Sequence, residues 1–217
     1  MTKDHENELT KERILNEAEI LFAQKGYKSV NIREITKAAN CNLAAVNYYF
    51  GSKKNLYLDI FRSRWMARAK RLQEFFKSSL GSISPNSPAK IVEALAYTFL
   101  KGPLSEEERH RHHQLIAREM AQPTEALEMI IDQMIKPFIK ELSDMLLPSM
   151  SKDVTKEELI LNILSMFAIV LYFNFARKAV TSIINRPYDS EFKTKLIEHI
   201  INFSLYGLSG SQKEELK

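Results

Sequence analysis

The side chains best suited to chemistry lie between Asn31 and Lys53, on two short predicted helices and the turn that joins them. Asn31 and Glu34 are three residues apart, a spacing that predicts a capped helix start. Asn42 predicts the start of a second helix, and Asn40 suits the sharp turn before it because asparagine tolerates a left-handed backbone. Two short helices with such a turn predict a helix-turn-helix, whose second helix fits a DNA major groove about 12 Å wide.

The second of these helices has one face of small and polar side chains, whereas Val46 and Phe50 fall on its inward side. Ala44 and Ala45 permit a close approach to the groove, where an alanine methyl can contact a thymine methyl. Arg33 on the preceding helix can reach a phosphate or a guanine. The predicted DNA-contacting residues are Asn31, Arg33, Asn42, Leu43, Ala44, Ala45, Asn47, Tyr48, Tyr49 and Lys53.

Each type of side chain in this set predicts a different contact. Asn47 can pair with the edge of an adenine, and the hydroxyls of Tyr48 and Tyr49 can reach phosphates. Lys53 begins the next helix, so its charge adds to that of the helix N-terminus in binding a phosphate. Two residues keep an alternative role: Asn42 as a helix cap only, and Tyr49 as a core side chain.

Basic residues are concentrated in the same part of the chain. Residues 1–80 hold 15 Lys and Arg against 9 Asp and Glu, a net charge of +6, whereas residues 81–217 hold 16 against 18, a net of −2. The imbalance suggests an anionic partner for the N-terminal third, nucleic acid before membrane. An ordinary solvated helix face is the alternative, and charge alone does not decide between the two.

The composition predicts an all-α fold. Only 6 glycines and 7 prolines occur among 217 residues, which favours long helices over sheets with many tight turns. Capping signals and apolar spacing predict about nine helices, at residues 10–25, 31–39, 42–49, 52–80, 88–101, 105–120, 123–147 (kinked at Pro137), 155–179 and 189–206. Gly81–Pro88 is rich in serine and proline and predicts a domain boundary. The single cysteine and the charged N-terminus, with no apolar signal segment, favour the cytoplasm.

Leu159–Ala176 runs for eighteen residues without a charge. That length is near the lower limit for a membrane span, but the stretch contains Asn162, Ser165 and Asn174 and no second such segment accompanies it. Burial between neighbouring helices or at a subunit interface is the preferred interpretation over a membrane segment.

The motifs that most hydrolases and nucleotide-binding enzymes need are missing. The chain has no GxSxG, no HExxH and no glycine-rich phosphate loop, so we expect no enzyme activity and no cofactor. His110 and His113 have a spacing that can place two metal ligands on one helix face. No thiolate lies near them in the sequence, so no metal site is predicted, and metal binding by this pair stays open.

Ile32–Leu56 (IREITKAANCNLAAVNYYFGSKKNL) resembles the DNA-binding signature of the TetR family of bacterial transcriptional regulators. The similarity rests on the alanine pair, the aromatic run that ends in Phe50, and Ser52-Lys53. The chain departs from the family where Asn40-Cys41 replaces the usual Gly-Val and where Ala45 replaces a frequent Thr or Ser. The second departure removes one hydroxyl contact to phosphate, so a relative's operator sequence cannot be transferred.

The resemblance implies an architecture and a function. It implies a three-helix DNA-binding domain at 1–57, with the helix-turn-helix at 31–50, and a helical ligand-binding and dimerisation domain at 58–217, joined through the long helix 52–80. Such proteins are homodimers, here through 159–179 and 189–206, that bind a palindromic double-stranded operator. They usually repress, and a small-molecule effector releases them. A helical interaction protein that has lost specific DNA binding is the alternative.

The effector site is predicted in the second domain. Leu115–Met120 (LIAREM) also resembles the C-terminal domain of a subgroup typified by the CecR regulator. Methionine and phenylalanine stripes are usually core, although flexible thioethers also suit an apolar pocket. Arg118 and Glu119 predict either a surface ion pair or a buried pair that orients a ligand. The candidate effector contacts are Phe99, Leu115, Arg118, Glu119, Met134, Phe138, Phe167 and Tyr172.

Overall fold

The computed structural model describes residues 3–81 and 87–206, and within these ranges the chain is helical and has no β-strand. Its ten helices are α1 (Lys3–Lys25), α2 (Ile32–Ala38), α3 (Leu43–Phe50), α4 (53–80), α5 (Pro88–Lys101), α6 (Glu106–Ala121), α7 (125–146), α8 (Lys156–Phe175), α9 (Arg177–Ile184) and α10 (Ser190–Tyr206). Helices α4 and α7 each include one π-helical turn, at Phe61–Trp65 and Ile131–Ile135. The predicted all-α class is confirmed.

The helices form two compact units, 1–69 with 105–134 and 70–104 with 135–217. The first unit holds α1 to α3, α4 up to residue 69, α6, and α7 up to residue 134. The second holds the rest of α4 and α7 together with α5 and α8 to α10. The division of function predicted at residue 57 falls within the first unit and stays a prediction. Of the segment predicted as a domain boundary, residues 82–86 lie outside the described ranges.

The core of the first unit forms because its helices carry apolar side chains at helical spacing. Helix α1 packs against α2, α3, α4 and α6. The fully buried side chains of this core include Ile14, Ala18, Phe22, Ile35, Val46, Leu56 and Ile60. Because α2 and α3 each contribute to it, the core fixes the orientation of both helices of the helix-turn-helix.

Helix α5 is apolar on two sides and therefore serves two hydrophobic clusters in the second unit. Ile91 and Leu95 pack with α7 and α8 side chains such as Leu142 and Ile163. Val92 and Ala96, one residue further along, pack with α8 and α10 side chains in the other cluster. The four-residue spacing within each pair places its members on the same helix face.

Most predicted helix ends are confirmed. Capping boxes form at Asn31–Glu34, Ser105–Glu108 and Thr155–Glu158. Gly26 follows α1 with a φ of +81°, the left-handed geometry in which glycine avoids a steric penalty. Asp189 accepts a hydrogen bond of 2.8 Å from the Phe192 N–H at the start of α10. These signals are local, which is why the sequence predicts them well.

The predicted start of α1 at Thr10 is wrong, because the helix begins at Lys3. The Thr10 hydroxyl donates to the Glu6 carbonyl at 3.0 Å, one turn back within the helix. Residues 3–9 contain no glycine or proline that would end a helix, so α1 continues through them. About two further turns therefore precede the predicted N-terminus.

The predicted helix 155–179 is divided in two, which accounts for ten helices rather than nine in the described part of the chain. Helix α8 ends at Phe175, and Ala176 leaves the helical conformation with φ −93° and ψ 20°. The Asn174 side chain bonds to the Val170 carbonyl (3.3 Å) and accepts from Arg177 (3.2 Å). Such side-chain bonds compete with backbone bonds and favour a local break.

Next to Pro137, where the sequence predicts a kink, the helix contains a π-helical turn at Ile131–Ile135. Proline lacks an N–H and cannot bond to the carbonyl four residues earlier. After the π turn, Pro137 lies in the first turn of the α-helical segment Lys136–Leu146. At that position the missing N–H has the lowest cost.

Helix α8 is the one described helix that is long and apolar enough to cross a membrane, and only 22% of its most apolar window is buried. Burial between neighbouring helices of the same chain therefore accounts for only one side of α8. Leu161, Leu164, Tyr172 and Phe175 are each at least 45% exposed. Their spacing of three, eight and three residues places them along one side of the helix.

Candidate nucleic-acid interface

Two asparagine caps shape the helix-turn-helix. The Asn31 side chain accepts from the Glu34 N–H, and the Glu34 carboxylate accepts from the Asn31 N–H, both at 2.9 Å. Asn42 accepts from the Ala45 N–H at 2.9 Å, and between the two helices Asn40 adopts a φ of +47°. The cap role of Asn42 is confirmed, and the left-handed turn is placed where the sequence predicts it.

Helix α3 separates into an inner and an outer face. Val46 is fully buried and Phe50 is 5% exposed, whereas Leu43 is 50% and Tyr48 is 78% exposed. The other outer residues, Ala44 and Asn47, are exposed, and Ala45 is half-buried. This arrangement presents small and polar groups over about two turns, which a major groove can accommodate.

Cys41 lies in the turn before α3. The residue is half-buried rather than part of the core. Burial raises the pKa of its thiol, and the nearby positive charge of Arg13 opposes the shift only in part. A thiol with a raised pKa is mostly protonated at neutral pH and is a poor redox sensor.

Tyr49 lies between the exposed face and the core of α3. Its ring is half-buried, and its hydroxyl donates to the Asn7 side-chain oxygen at 3.1 Å. The Tyr48 ring packs edge-on against the Tyr49 ring, with 5.0 Å between centroids. The two tyrosines are therefore a coupled pair: one is anchored to α1 and the other is exposed.

Lys53 is held at the start of α4 by an aromatic face. Its ammonium lies 4.4 Å from the centroid of the Tyr27 ring, a cation–π distance. Burial lowers the pKa of Lys53, and the Glu34 carboxylate opposes that shift. Glu34 itself bonds to Lys25 at 2.8 Å, and this bond lowers the pKa of Glu34.

The structure brings the predicted contact residues together on the first unit. Asn31 and Arg33 are exposed at the start of α2, and the seven candidates from Asn42 to Tyr49 lie on α3 and its cap. Lys53 follows at the first position of α4 after its own cap, Ser52, which accepts from the Asn55 N–H. Three helix N-termini thus lie within the same short stretch of chain, and a helix N-terminus favours anionic groups.

Sequence reasoning missed Asn7 and Tyr27. Asn7 lies in a charged segment without apolar periodicity, so nothing in the sequence indicated a contact with α3. Tyr27 directly follows Gly26, which ends α1. An aromatic residue at that position was the one feature of the sequence that could have indicated a packed side chain there. Both contacts join residues that are far apart in the chain, and single-sequence patterns do not report such pairs.

Four of the candidate effector contacts lie in the first unit. Leu115 is fully buried and Met134 is 6% exposed. Arg118 donates to the carbonyls of Ala23 and Gln24 at the end of α1. Glu119 is 1% exposed, so a surface ion pair with its neighbour is wrong.

Glu119 is instead the centre of a buried hydrogen-bond group. It accepts from the Tyr57 hydroxyl at 2.6 Å and from the Thr124 N–H at 2.9 Å. Burial raises the pKa of Tyr57 far above its usual value, and the bond to Glu119 adds to the shift. The carboxylate thus links α4 to the corner between α6 and α7.

The other four effector candidates lie in the second unit. The Phe167 ring packs edge-on against Phe99 and at 68° to Phe138, with 5.8 Å between centroids in both pairs. Tyr172 is 53% exposed. Three of the four are therefore grouped, and Tyr172 belongs to the exposed side of α8.

A small cavity of about 220 Å³ lies in the first unit and is lined by Tyr27, Lys54, Tyr57, Leu58, Thr124 and Glu125. Lys54 and Glu125 form an ion pair of 2.5 Å there. None of the predicted effector contacts lines this cavity. Its volume is below the range of about 300–1,000 Å³ that is usual for small-molecule sites.

The histidines of α6 have different environments. His110 is exposed and His113 is buried. The described residues include no group of three or more His, Cys, Asp or Glu side chains that could hold a metal ion. His112 is buried and stacks on Trp65, with 4.4 Å between ring centroids and 9° between planes.

Comparison with known proteins identifies the family. Residues 88–208 match the family model for the C-terminal domain of the HTH-type transcriptional dual regulator CecR, which is more than half of the chain. Residues 14–60 match the model for bacterial regulatory proteins of the tetR family. The chain belongs to the TetR family.

Relatives of this TetR-family protein are regulators of transcription. CecR of Shigella flexneri is 25% identical over 215 residues, covering 93% of this chain and 94% of the relative. IcaR of Staphylococcus aureus, a negative regulator of a biofilm operon, is 38% identical over 47 residues, covering 22% of this chain and 25% of the relative. A TetR-family regulator from Bordetella parapertussis has the same fold, with a TM-score of 0.65 at 20% identity, covering 92% of this chain and 95% of that one.

The family and the helix-turn-helix together make this TetR-family protein a DNA-binding transcriptional regulator. Its relatives are not enzymes. The predicted resemblance to both the TetR signature and the CecR C-terminal domain is confirmed.

Proposed function

We propose that this regulator is a cytoplasmic homodimeric repressor that binds a palindromic operator and leaves it when a small molecule binds. The observation that carries the proposal is the outer face of α3, where small and polar residues are exposed next to the cations Arg33 and Lys53. A groove-reading helix needs this combination, because small residues admit the bases while cations hold the flanking phosphates.

The dimer is supported by the uncovered side of α8. Leu161, Leu164, Tyr172 and Phe175 form an exposed apolar stripe there, and Leu205 and Tyr206 on α10 are also exposed. Two copies of α8 and α10 would form a four-helix interface around a two-fold axis. Such a dimer reads two half-sites that lie one DNA turn apart, roughly 34–36 Å, or a multiple of that distance.

Effector control is supported by the match of 88–208 to the CecR C-terminal domain and by the aromatic group Phe99, Phe138 and Phe167. Phenylalanine rings offer an apolar surface to a ligand, so the eight effector candidates remain our proposal for the contacts. The description of IcaR as a negative regulator supports repression. CecR is described as a dual regulator, so a transcription assay must be able to detect activation as well as repression.

Selection of genomic fragments by the purified protein at fixed salt, followed by footprinting, tests the proposal. We expect a palindrome with two protected half-sites. Arg33→Ala and Lys53→Gln should each weaken operator binding about tenfold, the loss expected for one charge-assisted contact. Each should also make the salt dependence shallower by about one phosphate contact.

Lys152→Gln is the matched control, because it removes one exposed positive charge from the second unit. It should leave both the affinity and the salt dependence unchanged. Weak protection without a motif, together with no effect of Arg33→Ala or Lys53→Gln, would favour the alternative of an interaction protein without specific DNA binding.

A further inference from the structure

We propose that the first two turns of α1 belong to the operator-reading apparatus and that Asn7 is a positioning residue for the tyrosine pair of α3. The inference rests on the proposed binding of the operator by α3. It adds a residue that is not among the predicted contacts and lies before residue 14, where the match to the tetR family model begins. The partner is double-stranded DNA, and Asn7 acts on it through Tyr49 and Tyr48.

The contact between Asn7 and Tyr49 is specific. The Tyr49 hydroxyl donates to the Asn7 side-chain oxygen at 3.1 Å, across 42 residues of sequence. Both side chains are half-buried, so the bond is partly shielded from competing water. It holds the far end of the Tyr49 ring, while the Tyr49 ring also packs against that of buried Phe50, with 6.3 Å between centroids.

Tyr49 in turn supports the most exposed aromatic ring of the predicted contact set. Tyr48 is 78% exposed, and its ring lies edge-on to Tyr49 at 79°. An exposed side chain loses conformational freedom when it binds DNA, and a neighbour that already restricts the ring reduces this loss. Without the hydrogen bond to Asn7 both tyrosine rings are freer before binding, so they lose more conformational freedom when DNA binds.

A second contact lies about one turn further along α1. The Glu12 carboxylate pairs with Arg64 on α4, the helix that begins at Lys53. The segment 3–13 is therefore attached both to α3 and to α4. Because it is attached at two points, α1 can transmit its position to the tyrosine pair.

The charges of the segment favour positioning over direct contact. Glu6 and Glu8 flank Asn7 and are exposed, and carboxylates are repelled by phosphates. A segment that itself bound the DNA backbone would need the opposite sign of charge. Asn7 is neutral and its oxygen is already used as an acceptor by Tyr49.

Operator binding by the full chain tests the inference, in four proteins: Asn7→Ala, Tyr49→Phe, the double variant and the control His5→Ala, an exposed residue of the same turn. We expect Asn7→Ala to bind the operator about fivefold more weakly, with an unchanged salt dependence because no charge is lost. The double variant should bind no more weakly than Tyr49→Phe alone. His5→Ala should bind like the unaltered protein at pH 8.

The inference would be overturned if Asn7→Ala bound the operator with unaltered affinity. It would also be overturned if the double variant lost affinity by the product of the two single-variant losses. A fall in the thermal midpoint of Asn7→Ala without any coupling to Tyr49→Phe would mean that the contact only stabilises α1, and this too would overturn it. The Tyr49 hydroxyl has a single proton and donates it to Asn7, so it cannot donate to a phosphate at the same time. Tyr49→Phe therefore removes the same bond without altering α1, and the comparison survives if Asn7→Ala folds poorly. Failure of the unaltered protein to prefer its operator over a scrambled duplex would refute the proposed function itself, before any variant is compared.

Discussion

His112 is a buried aromatic residue whose ring stacks on Trp65, while the Trp65 indole N–H donates to the His112 carbonyl at 3.0 Å. Its Nδ1 atom has no hydrogen-bond partner among the described residues. Burial lowers the pKa of His112 well below 6.5, and the neighbouring His113 and the positive charges of Arg68 and Arg109 add to the shift. The folded chain therefore holds this residue neutral.

Stability should consequently fall in acid. Below about pH 6.5 the unfolded chain binds a proton at His112 that the folded chain does not bind, so the free energy of unfolding decreases as pH decreases. One such group contributes a slope of about 1.4 kcal/mol per pH unit. Urea unfolding between pH 7.5 and about 5 should show that His112→Phe, which keeps an aromatic ring against Trp65, has the shallower slope. The control is His110→Phe at an exposed position. If the free energy of unfolding had the same pH slope in His112→Phe as in the unaltered protein, or if His110→Phe reduced the slope equally, the acid destabilisation would not come from His112.

At the scale of helices, a buried ion pair ties α1 to α4. Arg68 donates to both oxygens of Glu19, at 2.5 and 3.0 Å, and both side chains are nearly inaccessible to solvent. Arg111 on α6 lies 3.6 Å from the same carboxylate. Two fixed hydrogen bonds and a second cation offset the cost of burying these charges.

Breaking the pair from one side should therefore destabilise the protein more than removing it entirely. We expect Arg68→Met to lower the free energy of unfolding by about 3 kcal/mol, because it leaves Glu19 buried with only the more distant Arg111. The double variant Glu19→Leu/Arg68→Met should recover at least half of that loss. Urea denaturation measures both, and a double variant less stable than Arg68→Met would show that the pair itself provides the stability.

The sequence predicts helix ends better than helix interiors, for a physical reason. A cap such as Asn31 with Glu34 uses groups three residues apart, so its signal lies within one short stretch. The π turn at Phe61–Trp65 contains no proline or glycine from which it could be predicted, and no side-chain hydrogen bond caps it. The break after Phe175 depends on the hydrogen bonds that the Asn174 side chain makes. The predicted start of α1 is too late because no residue before Thr10 ends the helix.

The same distinction applies to the candidate site. The groups on the outer face of α3 follow from the helical period once the turn at Asn40 is located, so the sequence predicts them directly. The anchors of that face do not follow, because Asn7 reaches Tyr49 and Tyr27 reaches Lys53 only after α1 packs on α3 and the Tyr27 turn meets α4. Long-range contacts of single polar side chains leave no periodic signal.

At the scale of the whole molecule, the unexplained feature of one chain is the apolar surface of α8. The exposed stripe that contains Leu161 and Leu164 would contact lipid in a membrane span, a second chain in a subunit interface, and water in a solvated face. The second unit already buries Leu159 and Ile163 on the opposite side of α8. A helix with one side in a protein core and the other apolar and uncovered is the pattern of a subunit interface.

Leu164→Glu should therefore convert the proposed dimer into monomers. A carboxylate at each copy of this position would be buried without a partner, which costs several kcal/mol and raises the dissociation constant at least about 100-fold. The matched control is Ile183→Glu on α9, a similar apolar residue that is 78% exposed and lies outside the predicted interface 159–179 and 189–206. Analytical ultracentrifugation over a range of concentrations, without detergent, distinguishes the cases. A monomeric Leu164→Glu that also loses footprinting of the second half-site would connect the interface to operator binding, whereas a dimer broken only by Ile183→Glu would move the interface to α9.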